Sequence, residues 1–165
     1  MDGVLNVSQI LEENALLKYG DKQIPATVKG VSDNFPEGTQ IDSVMYDGKF
    51  LLNDGSFDYA VAGIGVASQL GLGVHFFRPL SIYAPKRTAT VNLSRLENSF
   101  NQRQIHISGI FAINQPDYDD RFIILPLNSV QRLFEYEENQ ATAIELKVVP
   151  GQESRIQREI KDVLG

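Results

Sequence analysis

The chain has 165 residues, no cysteine, two histidines and a formal net charge of −6 from 15 basic and 21 acidic side chains. A chain of this length buries about 70% of its unfolded surface and needs no disulfide or metal to fold, and the missing cysteines exclude thiolate-bound metals and a thiol nucleophile. The acidic balance, with no basic run, argues against nucleic acid or anionic lipid as the main ligand, because both are bound through Lys and Arg.

Val7, Ile10 and Leu11 recur at helical spacing behind Ser8, which predicts a short helix over 7–13. Ala15 to Tyr19 reads as a strand, Gly20-Asp21 as a turn, and Gln23 to Val31 as the return arm of a hairpin. Ile24, Ala26, Val28 and Gly30 share one face of that arm. From Asp33 to Gly55 the turn residues Asn34, Pro36, Gly38, Asp47-Gly48 and Asn53-Asp54-Gly55 break the chain into short pieces. Tyr59 to Ala62 predicts a strand that turns at Gly63–Gly65 into a helix through Leu70, and Pro79 to Ala84 predicts another strand. Lys86 to Gln104 is polar and alternating, as in an extended hairpin.

Gln104 to Ile113 reads as a strand with Ile105, Ile107, Gly109 and Phe111 on one face. A polar loop from Asn114 to Asp120 leads to a strand over Arg121–Leu125, and Pro126 opens a helix with Asn128 as N-cap and Gln131 completing a capping box. Thr142 to Val149 alternates as a strand. A last helix after Pro150-Gly151 carries Ile156, Ile160, Val163 and Leu164 at i, i+4, i+7 and i+8. Helix–strand–strand, a strand-rich middle, then strand–helix–strand–helix indicates an α+β class: a small sheet with helices on one face and an inserted β-rich part.

The N-terminus lacks a basic segment followed by an apolar one, so no secretory signal is read. The most apolar run, Ala60 to Val74, holds 15 residues, short of the ~20 that span a bilayer. A soluble piece of a longer membrane protein would look the same.

Chemistry-bearing patterns are few. Gly63-Ile64-Gly65 sits between strand and helix as a dinucleotide fingerprint does, but Ser68 replaces the third glycine. Tight strand-to-helix packing is the default reading, and a small nucleotide-binding enzyme using Gly63 and Gly65 is the alternative. Asp117, Asp119 and Asp120 cluster around Tyr118 without the glycine and distal glutamate of a calcium loop, which reads as a solvated turn. His75 and His106 have no nucleophile elbow near them. No catalytic, metal or cofactor-binding residue is assigned.

The succession Ile107-Ser108-Gly109-Ile110-Phe111, Asp117-Tyr118-Asp119, Phe122 to Leu127 and Val130-Gln131-Arg132-Leu133-Phe134, followed by Ile144 to Val148, resembles the extracytoplasmic domain of MacB/FtsX-like ABC transporter permeases. The lipoprotein-releasing (Lol) type is the nearest in flavour. Val7 to Tyr19 with Val28 to Val31, and Ala62 to Leu72, extend the likeness over roughly residues 4–164, with Gly73-Val74-His75 departing where the family often has a Gly-Asp pair. The resemblance implies a porter-like α/β subdomain over residues 1–35 and 116–165, split by a sabre-like β-rich insert over 36–115. It implies a periplasmic, non-catalytic module excised from between two membrane helices, with no cofactor. Expected partners are a cytoplasmic ATPase subunit, a second permease copy or relative, a lipoprotein substrate and a periplasmic carrier or adaptor, with no nucleic acid. Tyr118, Asp117 and Asp119 are the candidate partner-contact residues.

Overall fold

In the computed structural model, which describes residues 2–74, 76–87 and 99–165, residues 4–19 form one long strand, β1 (Val4–Tyr19), along which burial alternates with a break at Ile10-Leu11. The expected helix over 7–13 is therefore a strand. The helical spacing has a sheet explanation: Ser8 and Ile10 are buried on one face of β1, Leu11, Ala15 and Leu17 on the other. Two consecutive buried residues, Ile10 and Leu11, mark where cover passes from one face to the other. Gly20, with φ +60°, makes the two-residue turn to β2 (Lys22–Val31), which pairs antiparallel from Tyr19↔Lys22 to Ile10↔Val31. Pro25 precedes the stretch 27–31 that has a second neighbour, so its missing N–H costs no ladder bond there.

The middle of the chain supplies a helical turn α1 (Phe35–Gly38) opened by Pro36, a 3-10 turn at Ile41–Val44, and β3 (Met45–Gly48). Then come β4 (Tyr59–Gly63), running straight into α2 (Ile64–Leu70), β5 (Leu80–Pro85) and β6 (Phe100–Phe111). β5 and β6 pair out to Pro85↔Phe100, and residues 88–98 of the expected polar hairpin lie outside the described residues. A bulge sets Ala60 opposite Ile107 but Val61 opposite Gly109. It breaks the alternation expected along β6: Ile105, Ile107 and Ile110 face one core and Phe111 the other. The C-terminal part forms α3 (Pro116–Asp119), β7 (Phe122–Pro126), α4 (Leu127–Leu133), β8 (Ala143–Val148) and α5 (Glu153–Leu164).

Helix α4 starts one residue before Asn128, with Pro126 as its N-cap, so the expected capping box is absent. Pro126 presets the turn into the helix, and buried Gln131 instead donates from Nε2 to the carbonyls of Glu138 and Gln140, both at 3.0 Å.

All eight strands of the described residues lie in one mixed sheet. The pairings β1–β2–β7–β4–β6–β5–β1 close into a ring, with β8 added along the N-terminal half of β1 and β3 along β6. Segments 1–35 and 116–165 supply β1, β2, β7 and β8; segment 36–115 supplies β3 to β6. The α+β class, a mixed sheet with helices laid against it, is as the sequence indicates.

The larger core sits inside the ring, where Leu11, Leu17, Val28, Ile82, Ile105 and Ile123 meet Val66 and Leu70 of α2 and Val130 and Leu133 of α4. Small inward residues (Ala15, Ala26, Ala60, Ala62, Ala84) leave room for those helices. At Gly30 a Cβ would come within 2.8 Å of Val130 Cβ and 3.2 Å of Leu127 Cα, so α4 can lie against β2 only over a glycine. A smaller core on the outer face gathers Ile10, Val31, Phe35, Ile41, Val61, Phe111 and Ile124 under α1 and the 3-10 turn.

Candidate functional site

The loop between β6 and β7 is built from the inside. Asp119 is buried, and its two carboxylate oxygens accept the N–H groups of Ile113 and Asn114, each at 2.9 Å. Those bonds hold the chain where Asn114 turns with φ +63°, a conformation Asn tolerates better than most side chains. The solvated-turn reading thus fits exposed Asp117 and Asp120 but not Asp119, whose carboxylate is taken up by the backbone it shapes.

Once the turn is fixed, Tyr118 projects as a residue 44% exposed, its ring stacked on Phe122 with centroids 5.1 Å apart and planes 29° from parallel. Register does the rest. Asn14 of β1 lies opposite Thr27 of β2, and Thr27 opposite Phe122 of β7, so all three share the outer sheet face. Thr27 donates to Asn14 Oδ1 at 3.3 Å. Tyr118, Asp117 and Arg121 wall one side of the resulting groove and Glu12 and Glu13 the other, around about 560 Å³.

The groove is acidic, with Glu12, Glu13 and Asp117 against Arg121 alone. Lys29 only grazes Glu12 at 3.9 Å while sitting 2.8 Å from Glu145. Glu13 accepts the hydroxyl proton of Tyr136, and that bond, with burial and the Glu13 charge, raises the phenol above its ordinary value. An aromatic face beside three carboxylates suits a cationic side chain. Sequence spacing gave no sign of Glu12, Glu13 and Asn14 in this site, because strand pairing alone brings them to Tyr118.

Gly63 and Gly65 face the same loop from behind. A Cβ on Gly65 would lie 2.7 Å from Asp120 Cα, and one on Gly63 would be 2.9 Å from the Asp119 carbonyl carbon. The two glycines therefore admit the loop backbone, and the carboxylate of Asp120 occupies the position against Gly65. A phosphate there would meet a negative charge. Tight packing, the default reading, describes this turn.

A second polar cluster ties the ring together. Asp58, just before β4, accepts from Ser129 of α4, from Arg103 of β6 at 2.9 Å and from Asn53 at 2.6 Å. Burial works to raise the Asp58 carboxyl, but the Ser129 and Asn53 hydrogen bonds and the nearby arginine charges outweigh it and hold the group below its ordinary value. Among the described residues no histidine joins Ser129 and Asp58. His106 instead meets the Phe77 carbonyl at 3.0 Å, and His75 lies outside the described residues. The cluster crosslinks the start of β4, β6 and α4. Among the described residues no helix is long and apolar enough to cross a membrane.

No protein-family model matches the chain, and no curated protein sequence is significantly similar to it. Solved structures are similar. The extracellular domain of the noncanonic ABC-type transporter YknZ from Gram-positive bacteria matches 99% of this chain at a TM-score of 0.65 and 13% identity, over 78% of its own length. The periplasmic region of MacB from Actinobacillus actinomycetemcomitans matches 99% at 0.64 and 12% identity, over 67% of its length. A domain of a protein described as a permease, from Porphyromonas gingivalis, matches 98% at 0.56 and 16% identity, over 64% of its length. At these identities the likeness is one of fold: the chain has the fold of extracytoplasmic domains of ABC-type transporter permeases.

Proposed function

We propose that the chain is the extracytoplasmic domain of an ABC transporter permease of the MacB kind, serving lipoprotein release. Such a domain is non-catalytic; it passes movement between a cytoplasmic ATPase, acting through membrane helices, and a substrate or carrier outside the membrane. The observation that carries the reading is fold likeness over 98–99% of the chain to the extracellular domain of an ABC-type transporter, the periplasmic region of MacB and a domain of a permease. The ordered run of family-like motifs in the sequence supports the lipoprotein-releasing variety. The segments 1–35 and 116–165 act as the membrane-proximal part and 36–115 as the insert.

The groove at Tyr118 and Asp117 is the partner contact within this reading, and Asp119 serves it by fixing the turn. Its acidic lining favours a basic patch on the carrier or adaptor, or on the second permease. The test is lipoprotein release by the intact transporter carrying Asp117→Lys. Release should fall, and the isolated chain should melt within about 2 °C of wild type, since a change at an exposed site costs ~0.5 kcal/mol or less. Unchanged release would remove the groove from the transport cycle. Recovery of the native protein without any ABC ATPase in its own polypeptide or in complex would overturn the transporter reading itself.

A further inference from the structure

Strand β8 is hydrogen-bonded to β1 on one side, and among the described residues no strand pairs with its other edge. Its sequence there is Ala143-Ile144-Glu145-Leu146-Lys147-Val148. Ile144 and Leu146 remain 63% and 36% exposed, and with Val7, Ile160, Val163 and Leu164 they line an apolar groove of about 750 Å³ between the strand face and the end of α5. An exposed apolar edge strand is a template for pairing with another chain unless something on it forbids the approach.

The charges on β8 do not forbid it; they select one partner. We infer that β8 is an isologous interface for a second copy of this chain, paired antiparallel about a two-fold axis through Leu146. Such an axis, perpendicular to the sheet, keeps each face on its own side, so residues i and j that pair must share a face and their numbers must sum to an even value. Three central registers satisfy this. Centring on Glu145 sets it against its own copy, and centring on Lys147 does the same for the lysine, so both registers oppose like charges. Centring on Leu146 sets Glu145 against Lys147 twice, Ile144 against Val148 twice, and Leu146 against itself. Opposite charges facing across strands stabilise the pair and like charges destabilise it. One register is thus favoured and its two neighbours are penalised. The same axis brings the two apolar grooves together on one side of the joined sheet, burying Ile144 and Leu146 of both copies.

Glu145 meets Lys29 through one oxygen at 2.8 Å and its side chain stays 42% exposed, while exposed Lys147 reaches only the Glu37 carbonyl, at 3.4 Å, so both side chains remain open to the partner. The inference does not depend on the transporter reading, since it concerns this chain alone.

The absence of native cysteine makes the register directly testable. Under mild oxidation Leu146→Cys should form a disulfide-linked dimer, because its Cα faces its own copy at the ~5 Å separation of paired strands, within disulfide reach. Ile144→Cys, which faces Val148, should not. In sedimentation equilibrium the unmodified chain should dimerise with a dissociation constant below about 1 mM, and Lys147→Glu, which opposes two glutamate pairs, should raise that constant at least tenfold. An unmodified chain that stays monomeric at millimolar concentration overturns the inference even if the cysteine variants fail to fold. So does a dimer indifferent to Lys147→Glu, or equal crosslinking through positions 144 and 146.

Discussion

Replacing Asp119 by alanine removes the two acceptors that hold the β6–α3 turn. Both bonds are 2.9 Å long, both run to a charged acceptor, and the residue is only 6% exposed. A hydrogen bond to a charged group contributes about 1.5–3 kcal/mol net, and losing it leaves a donor unpaired. Water can reach Asn114, which is exposed, more easily than Ile113, so the second loss is the smaller and the sum is about 3 kcal/mol. For a chain of this size that corresponds to a melting temperature lower by about 6–12 °C. Urea unfolding of wild type and Asp119→Ala, followed by circular dichroism, measures the difference, with an unchanged slope showing that the denatured state is not altered. A loss below about 1 kcal/mol would mean that the turn is held by something other than the carboxylate, and the account of how Tyr118 is presented would fail with it.

Tyr118→Ala should cost about 1–2 kcal/mol in the same assay, since the ring is half covered and gains from its stack on Phe122; no loss would mark the ring as a contact without structural role. Gly65→Ala should destabilise by about 1–3 kcal/mol, because the new methyl would meet backbone at Asp120 Cα, 2.7 Å away, and a neutral result would show that α2 and the loop separate freely. The Asp58 carboxyl titrates below its ordinary value of 3.8, so its contribution is complete above that pH and is lost as pH falls through the lower folded value. Wild type should therefore exceed Asp58→Asn in stability at pH 6 and converge towards it as the pH falls well below 3.8; a gap that persists in acid would contradict the assignment.

The sequence pattern was most readable where one local rule decides the outcome. The Gly20-Asp21 hairpin, the passage from Tyr59–Ala62 through Gly63 into a helix, and the alternation of Ile24, Ala26, Val28 and Gly30 all stand in the structure as periodicity and turn chemistry indicate. The pattern misled where a strand is covered on both faces. Ile10 and Leu11 are adjacent and both buried because each faces a different core, and such a pair imitates a helical stripe. The bulge opposite Ala60 hid in the same way, since one extra residue in β6 moves Phe111 to the other face. Asn128 has the chemistry of a cap, but Pro126 had already fixed the start of α4. The acidic groove was legible in half. Tyr118 and Asp117 stand out as an aromatic and a carboxylate on a polar loop, whereas Glu12 and Glu13 lie about a hundred residues away in sequence and join them only through β1–β2–β7 pairing.

The central claim is that this chain faces the outside of a membrane as part of a permease. This chain carries no cysteine of its own, so Asp117→Cys, in the intact protein with any cysteine outside this chain replaced by serine, provides a single exposed thiol in its source cells. After removal of any outer wall, a membrane-impermeant maleimide applied to intact cells should label that thiol fully, and the labelled protein should sediment with the membrane. Labelling only after the membrane is permeabilised, or a labelled protein that stays in the soluble fraction, would contradict the account.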